Sequence, residues 1–246
     1  MQIWGISTVR NEADIIELTV RHIISEGIDY LIIADNLSHD GTREILEGLA
    51  QELPITVVDD LDPAHRQSEK MTALAEQAVA GGADWIVPID ADEIWRSRNG
   101  TVRDAIEGTS SNIIVAPVFD HHPRPTMRGG SIIERMPWNR TTQYAKVAYR
   151  WHPGAVITDG NHWVKSLPRE PDRERLLIDH YPFRSWPQFR RKMRQGAAAL
   201  ALTDLPHKTG SVWREIGTKS DWRIRLSWWN RRLHPKLRRR DRAAWP

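Results

Sequence analysis

The chain has 246 residues, 40% hydrophobic and 27% charged, with 15 Gly and 15 Pro. That size and balance suit one or two globular domains and exclude wholesale disorder, collagen and coiled coil. The absence of cysteine excludes a disulfide framework, a thiolate zinc site, an iron–sulfur cluster and a thiol nucleophile, leaving oxygen and nitrogen ligands for any metal. The net charge of +3 conceals an asymmetry: residues 1–120 carry 8 Lys/Arg against 22 Asp/Glu, and residues 121–246 carry 27 against 10. Such a division suits a metal ion held beside a polyphosphate, and equally two separately solvated faces.

In chain order, Ile3 to Val9 reads as a buried strand that ends at the polar cluster Arg10-Asn11-Glu12. From Ala13, Ile15, Ile16, Leu18, Val20, Ile23 and Ile24 recur at helical spacing until Gly27, a residue suited to a left-handed cap. Tyr30 to Ala34 gives a second strand, followed by the polar loop Asp35 to Gly41 and a helix carrying Ile45, Leu46 and Leu49. Ile55 to Val58 is a third strand, residues 66–80 a helix stopped by Gly81-Gly82, and Trp85 to Ile89 a fourth strand. Strands alternating with helices predict an α/β fold, a parallel sheet with helices on both faces. Ligands of such sheets collect beyond the carboxyl ends of the strands, where Asn11, Glu12, Asp35, Asp59, Asp60, Asp90 and Asp92 all fall.

Beyond residue 112 the pattern is less regular. Strands are expected at Ile113 to Phe119, Ser131 to Arg135, Tyr144 to Trp151, Ala155 to Thr158 and Leu176 to Ile178, with a helix over Ser185 to Thr203 that accepts Pro187 in its first turn. The segment Trp222 to Pro246 carries nine Lys/Arg against one acid, and Trp222, Leu226, Trp229 and Leu233 form a helical stripe ended by Pro235. That stripe suits either a helix on an anionic membrane surface or a terminal helix packed on the body. No run approaches the ~18 apolar residues of a membrane span, and no basic segment with a long apolar stretch opens the chain, so a cytoplasmic protein is expected, peripheral at a membrane if the tail binds one.

Asp90-Ala91-Asp92 is the central motif, although Asp60-Leu61-Asp62 shares its spacing. The first pair directly follows an apolar strand, and in extended geometry its carboxylates project to one side about 6.6 Å apart. Two hard oxygen donors there suit Mg²⁺ or Mn²⁺, ions that keep waters and share their shell with substrate phosphates.

Three ordered motifs then resemble the family 2 glycosyltransferases of the GT-A fold: Thr8-Val9-Arg10-Asn11-Glu12, Asp35-Asn36-Leu37-Ser38-His39-Asp40-Gly41-Thr42 and Ile89-Asp90-Ala91-Asp92-Glu93. The branch with an Arg-Asn-Glu start and a later His180-Tyr181-Pro182-Phe183-Arg184-Ser185 segment is the most similar. The resemblance implies a Rossmann-like, mostly parallel sheet flanked by helices, with a mixed acceptor region and C-terminal helices. It divides the chain into a catalytic domain over 1–205, with a nucleotide-sugar half (1–110) and an acceptor half (111–205), and a basic, Trp- and Arg-rich tail over 206–246. By the same likeness Asn11, Glu12 and Asp35 hold base and ribose, Asp90 contacts the ribose or a metal-bound water, and Asp92 binds the metal directly. Lys70 is a candidate phosphate contact or an exposed helical lysine. His180 is the candidate third metal ligand, with His162 its competitor and the adjacent His121-His122 pair weaker, since neighbours on a strand face opposite ways.

The reaction implied is a metal-dependent, inverting displacement at the anomeric carbon of a nucleotide sugar by a glycan or lipid-linked acceptor, with Mn²⁺ or Mg²⁺ as cofactor. Among Asp120, Glu134, Asp159, His162 and Asp179, the catalytic base is assigned to Asp159 or Asp179. The alternatives are a nucleotidyltransferase on a related fold, for which Thr8 to Asp14 lacks a Gly cluster, and a module that binds nucleic acid or an anionic surface through its basic tail. No nucleic-acid motif is present, and no nucleic acid is expected as partner.

Overall fold

The computed structural model describes residues 1–123, 130–166, 170–232 and 238–239. The chain forms two compact units, one of Met1–Asp62, Arg66–Val118 and Thr142–Asp179, the other of Pro63–His65, Phe119–Thr141 and His180–Pro246.

In chain order the elements are β1 (Ile3–Val9), α1 (Ile16–Ser25), β2 (Tyr30–Asp35), α2 (Thr42–Leu49), β3 (Ile55–Asp59), α3 (Gln67–Ala80), β4 (Trp85–Pro88), β5 (Glu93–Ser97) and α4 (Val102–Glu107). There follow β6 (Ile113–His122), α5 (Ile132–Arg135), β7 (Trp138–Arg150), β8 (Val156–Ile157), β9 (Val164–Lys165), β10 (Leu176–His180), α6 (Trp186–Ala201), α7 (Ser211–Gly217), α8 (Asp221–Arg232) and β11 (Arg238–Arg239). The main sheet runs β3-β2-β1-β4-β7-β6-β10-β5. Its first four strands are parallel, with Val9 opposite Asp35 and Asp35 opposite Asp59, so three strand ends lie side by side.

Alternation along the strands assigns side chains to two cores. On one face Ile3, Ile33, Trp85 and Val87 pack with Ile16, Val20 and Ile23 of α1, Leu46 and Leu49 of α2, and Val102 and Ile106 of α4. On the other, Ile6, Ile32 and Ile86 pack with Met71, Leu74, Ala75 and Ala78 of α3. Each such side chain removed from water contributes roughly 1.5–3 kcal/mol before entropy is counted. A Cβ at Gly5, in the middle of β1, would lie 2.5 Å from Leu31 Cδ1, so a larger residue there would make the Leu31 side chain shift. Gly27, at φ +90°, follows α1 in the left-handed conformation its type suggested.

The second unit has its own core, in which Phe189 and Met193 of α6 meet Ile216 of α7 and Ile224 and Trp228 of α8. Helix α8 therefore packs through Ile224 and Trp228, while Trp222, Leu226 and Trp229 of the expected stripe are 64%, 54% and 41% exposed. Leu233 and Pro235 lie outside the described residues.

Several boundaries differ from expectation. Ser131 to Arg135 is a helix, α5, and not a strand, because Ser131 and Glu134 form a reciprocal capping box. Helix α1 starts at Ile16 with Ile15 as its N-cap, three residues after the Ala13 from which the helical spacing was counted. Strand β5 and helices α4 and α7 add to the expected elements.

Candidate functional site

The first two strand ends are sewn together by their loops. Asn11 takes a left-handed φ of 58°, and its Oδ1 accepts from the His39 amide at 2.8 Å and lies 2.6 Å from His39 Nδ1. The Asn11 amide donates to Ser38 Oγ at 2.9 Å, and the Glu12 amide to Thr42 Oγ1 at 2.8 Å. Asp40 accepts from both the amide and the hydroxyl of Thr42, which makes it a turn residue that feeds α2. Glu12 is buried beside this seam, and Asp35, 7% exposed, keeps an Oδ1 that has no hydrogen-bond partner. A buried carboxylate oxygen left unpaired is costly, and it is suited to accept from a hydroxyl or N–H group of a ligand.

Lys70 is largely enclosed, and not the exposed helical lysine that was the alternative to a phosphate contact. Its Nζ lies 2.6 Å from Asp60 Oδ2 and donates to the Asp62 carbonyl at 2.6 Å. Asn36 binds the Asp60 and Asp62 carbonyls as well. Lys70 thus fixes the loop after β3, and the Asp60-Leu61-Asp62 repeat of the spacing is consumed in that loop.

Asp90, Ala91 and Asp92 form a turn between β4 and β5, which corrects the extended geometry expected for them. The Ala91 carbonyl accepts from Thr19 Oγ1 of α1 at 2.7 Å. Asp92 is 3% exposed. Asp90 stays 30% exposed and is gripped on both oxygens: Oδ2 lies 2.5 Å from Lys146 Nζ, and Oδ1 accepts from Asn161 Nδ2 at 2.9 Å and Gln67 Nε2 at 3.3 Å. Lys146, on β7, is also 2.9 Å from Glu93 Oε1. Burial alone would push the Lys146 ammonium down, but Asp90 and Glu93 outweigh it and hold the pKa well above the ordinary lysine value. Lys146, Asn161 and Gln67 were missed in the sequence because each meets Asp90 across a long stretch of chain.

Among the described residues no three His, Asp or Glu side chains converge as a metal site. The donor set nevertheless fits a cation that takes one or two carboxylates and completes its shell with phosphate and water. Asp90 and Asp92 supply hard oxygens, and each carboxylate oxygen has two lone pairs, so the grip on Asp90 leaves acceptor capacity.

The two candidate bases are placed differently. Asp179 is 1% exposed and lies 2.7 Å from Arg96 Nε. A carboxylate enclosed and held by a guanidinium has the surroundings of a structural ion pair. Asp159 opens a short 3₁₀ turn, Asp159–Asn161, and accepts from the Ser68 amide in the first turn of α3 at 3.1 Å. Its neighbours reach the Asp90 network: the Gly160 amide donates to Gln67 Oε1 at 2.9 Å, and Asn161 binds Asp90 directly. His162 follows, its Nδ1 2.8 Å from the Ala145 carbonyl, and burial lowers its pKa.

His180, in the second unit, has its Nδ1 2.8 Å from Asp120 Oδ1. Burial would raise the Asp120 pKa, yet the His180 hydrogen bond and nearby positive charge hold it below the ordinary value. His121 and His122 diverge: His121 Nδ1 is 2.9 Å from the Met136 carbonyl, and its ring stacks on Tyr181.

A family model described as Glycosyl transferase family 2 matches residues 6–165. No curated protein matches the chain. Among solved structures, S. aureus TarS 1-349 in complex with UDP is similar at a TM-score of 0.44 and 14% identity over 94% of this chain and 71% of that one. Its complex with UDP-GlcNAc gives 0.46 and 14% over 96% and 74%. Glucosyl-3-phosphoglycerate synthase from Mycobacterium tuberculosis, in complex with Mn²⁺, UDP and phosphoglyceric acid, gives 0.36 and 19% over 61% and 55%. The family match runs from within β1 to the end of β9 and takes in the sewn loops, the Asp90 turn and the Lys146 network. The chain belongs to glycosyl transferase family 2 and is a glycosyltransferase.

Proposed function

We propose that the protein transfers a sugar from a nucleotide-sugar donor, with inversion, to an acceptor hydroxyl, and that a divalent cation assists. The observation that carries this reading is the buried, unpartnered Oδ1 of Asp35, placed at the carboxyl end of the sheet beside Asn11 and Glu12. Ligands of parallel sheets gather at this edge. Asp35 accepts from the base or ribose of the donor, and Asn11 acts as the brace that holds the two loops at the spacing this requires. Asp90 and Asp92 would hold Mn²⁺ or Mg²⁺, which when bound neutralises charge on the leaving diphosphate. Asp159 takes the acceptor proton as the acceptor oxygen bonds to the anomeric carbon and the bond from that carbon to the diphosphate oxygen breaks. The product pair is the glycosylated acceptor and the nucleoside diphosphate.

The test is Asp92→Asn. Hydrolysis or transfer of UDP-sugars in the presence of Mn²⁺ is expected to fall at least a hundredfold, with Mn²⁺ binding by calorimetry lost and the unfolding midpoint within a few degrees of wild type. Full turnover in that variant removes Asp92 from the metal assignment.

A second observation supports a membrane-linked acceptor. Trp222, Leu226 and Trp229 are exposed on α8 beside Arg223 and Arg225, a pairing suited to an anionic lipid surface. No helix among the described residues is long and apolar enough to cross a membrane. Vesicles containing a third phosphatidylglycerol are expected to co-sediment the protein, and Trp222→Ser/Trp229→Ser to reduce the bound fraction severalfold. Equal sedimentation with neutral vesicles counts against this reading.

A further inference from the structure

The second unit contains a cluster of basic side chains that the donor-site reading does not use. Asp120 and His122, two residues apart on β6, lie on one face of that strand. Arg140 belongs to the neighbouring strand β7, His180 ends β10 on the other side, and Arg231 belongs to α8. Asp120 is the carboxylate paired with this group, and it is already in use: Oδ1 meets His180 Nδ1 at 2.8 Å, while Oδ2 is 3.5 Å from Arg140 Nη2. Arg231 makes no ion pair among the described residues, and its guanidinium lies 5.1 Å from the centre of the Phe183 ring.

Three side chains here have polar atoms with nothing to bind. The Nε of Arg140 and the Nε of Arg231 are buried without hydrogen-bond partners, as are both ring nitrogens of His122, which is 4% exposed. Burial and the charge of Arg140 push the Arg231 guanidinium below its ordinary pKa despite Asp120. The Arg140 side chain is partly exposed, but its Nε, the Nε of Arg231 and both His122 ring nitrogens are enclosed without partners, and each such group costs free energy. The balance that would satisfy them is an added anion with several acceptor oxygens, and the planar fork of arginine matches a tetrahedral oxyanion in two-point contact.

We propose that His122, Arg140 and Arg231 form a binding site for a phosphate-class oxyanion, with the Asp120–His180 pair as its fixed wall. This goes beyond the donor-site reading and stands if that reading fails, because every residue in it belongs to the second unit. Two sources carry this chemistry, the diphosphate of a nucleotide donor and a phosphate carried by the acceptor.

The experiment is calorimetric titration of the full chain with inorganic phosphate and inorganic pyrophosphate at constant ionic strength, so that general screening is held fixed. Saturable binding is expected in the wild type, weakened at least tenfold in both Arg231→Gln and Arg140→Gln. Thermal unfolding without ligand checks that each variant is folded; should Arg231→Gln not fold, the more exposed Arg140→Gln carries the comparison. Absence of saturable binding by both anions, or equal affinity in a folded variant and the wild type, overturns the proposal. Prior addition of UDP with Mn²⁺ separates the sources. Loss of phosphate binding assigns the site to the donor diphosphate, and undiminished phosphate binding assigns it to the acceptor.

Discussion

Lys146→Met is expected to destabilise the protein by about 3–5 kcal/mol, the usual cost of removing one partner from a buried ion pair. Lys146 is the cation 2.5 Å from Asp90 and 2.9 Å from Glu93. Glu93 is 1% exposed, so its carboxylate has no recourse to water once the ammonium is gone. Methionine fills much the same volume, which confines the loss to charge and hydrogen bonding and leaves no large cavity. In urea the midpoint should fall at unchanged slope, the sign of lost stability without a change in compactness. The double variant Lys146→Met/Glu93→Gln should recover part of the loss, because the second change removes the charge that the first leaves uncompensated. A loss below about 1 kcal/mol in the single variant would mean that Asp90 and Glu93 do not depend on Lys146. Activity should fall along with stability, since the same ammonium holds the Asp90 carboxylate in place at the strand end.

Stability is expected to drop by about 3 kcal/mol as pH falls from 6.5 to 4, on account of His122 alone. Burial lowers the His122 pKa from 6.5 to about 4, with Arg140, His121 and Arg231 adding to the effect and Asp120 opposing it. The unfolded chain therefore binds a proton in this window that the folded chain refuses, so stability rises with pH from about 4 to 6.5 and is lost in the opposite direction. Asp120 acts lower on the scale. Its folded pKa is depressed, so its contribution is present above the unfolded carboxylate value and disappears as pH falls through the folded one. Denaturant unfolding at a series of pH values checks both parts. His122→Phe should flatten the upper window and leave the loss below pH 4 in place; an unchanged slope between 6.5 and 4 in that variant would show that His122 is charged in the folded protein.

The strands of the first unit were legible because their signal is local. Ile3–Val9 was read with its observed ends, and the next three strands to within one residue, since an apolar run bounded by polar turns needs only its own residues to declare itself. The same locality makes α5 instructive. Apolar Ile132 and Ile133 by themselves suggest a strand, while the Ser131 and Glu134 pair three residues apart is a helix-start signal, and the signal wins. The position of Asp35 and of the Asp90 turn at strand ends followed from the alternation of elements.

What sequence could not decide was which carboxylates are occupied. Asp159 and Asp179 look alike as residues in an acceptor half; Arg96, 83 positions away, pairs with one of them. Lys146 reaches Asp90 over 56 positions and Asn161 over 71, and no periodicity links residues so distant. The sequence by itself determined the α/β order, the family and the acidic strand ends, because apolar runs and motif residues act within a few positions of one another. Only the tertiary structure decided that Lys70 and Lys146 hold carboxylates in place, that Asp92 is buried while Asp90 stays partly exposed, and that α8 packs through Ile224 and Trp228. Those outcomes depend on ion pairs and contacts between segments that meet only once the sheet and its helices have assembled.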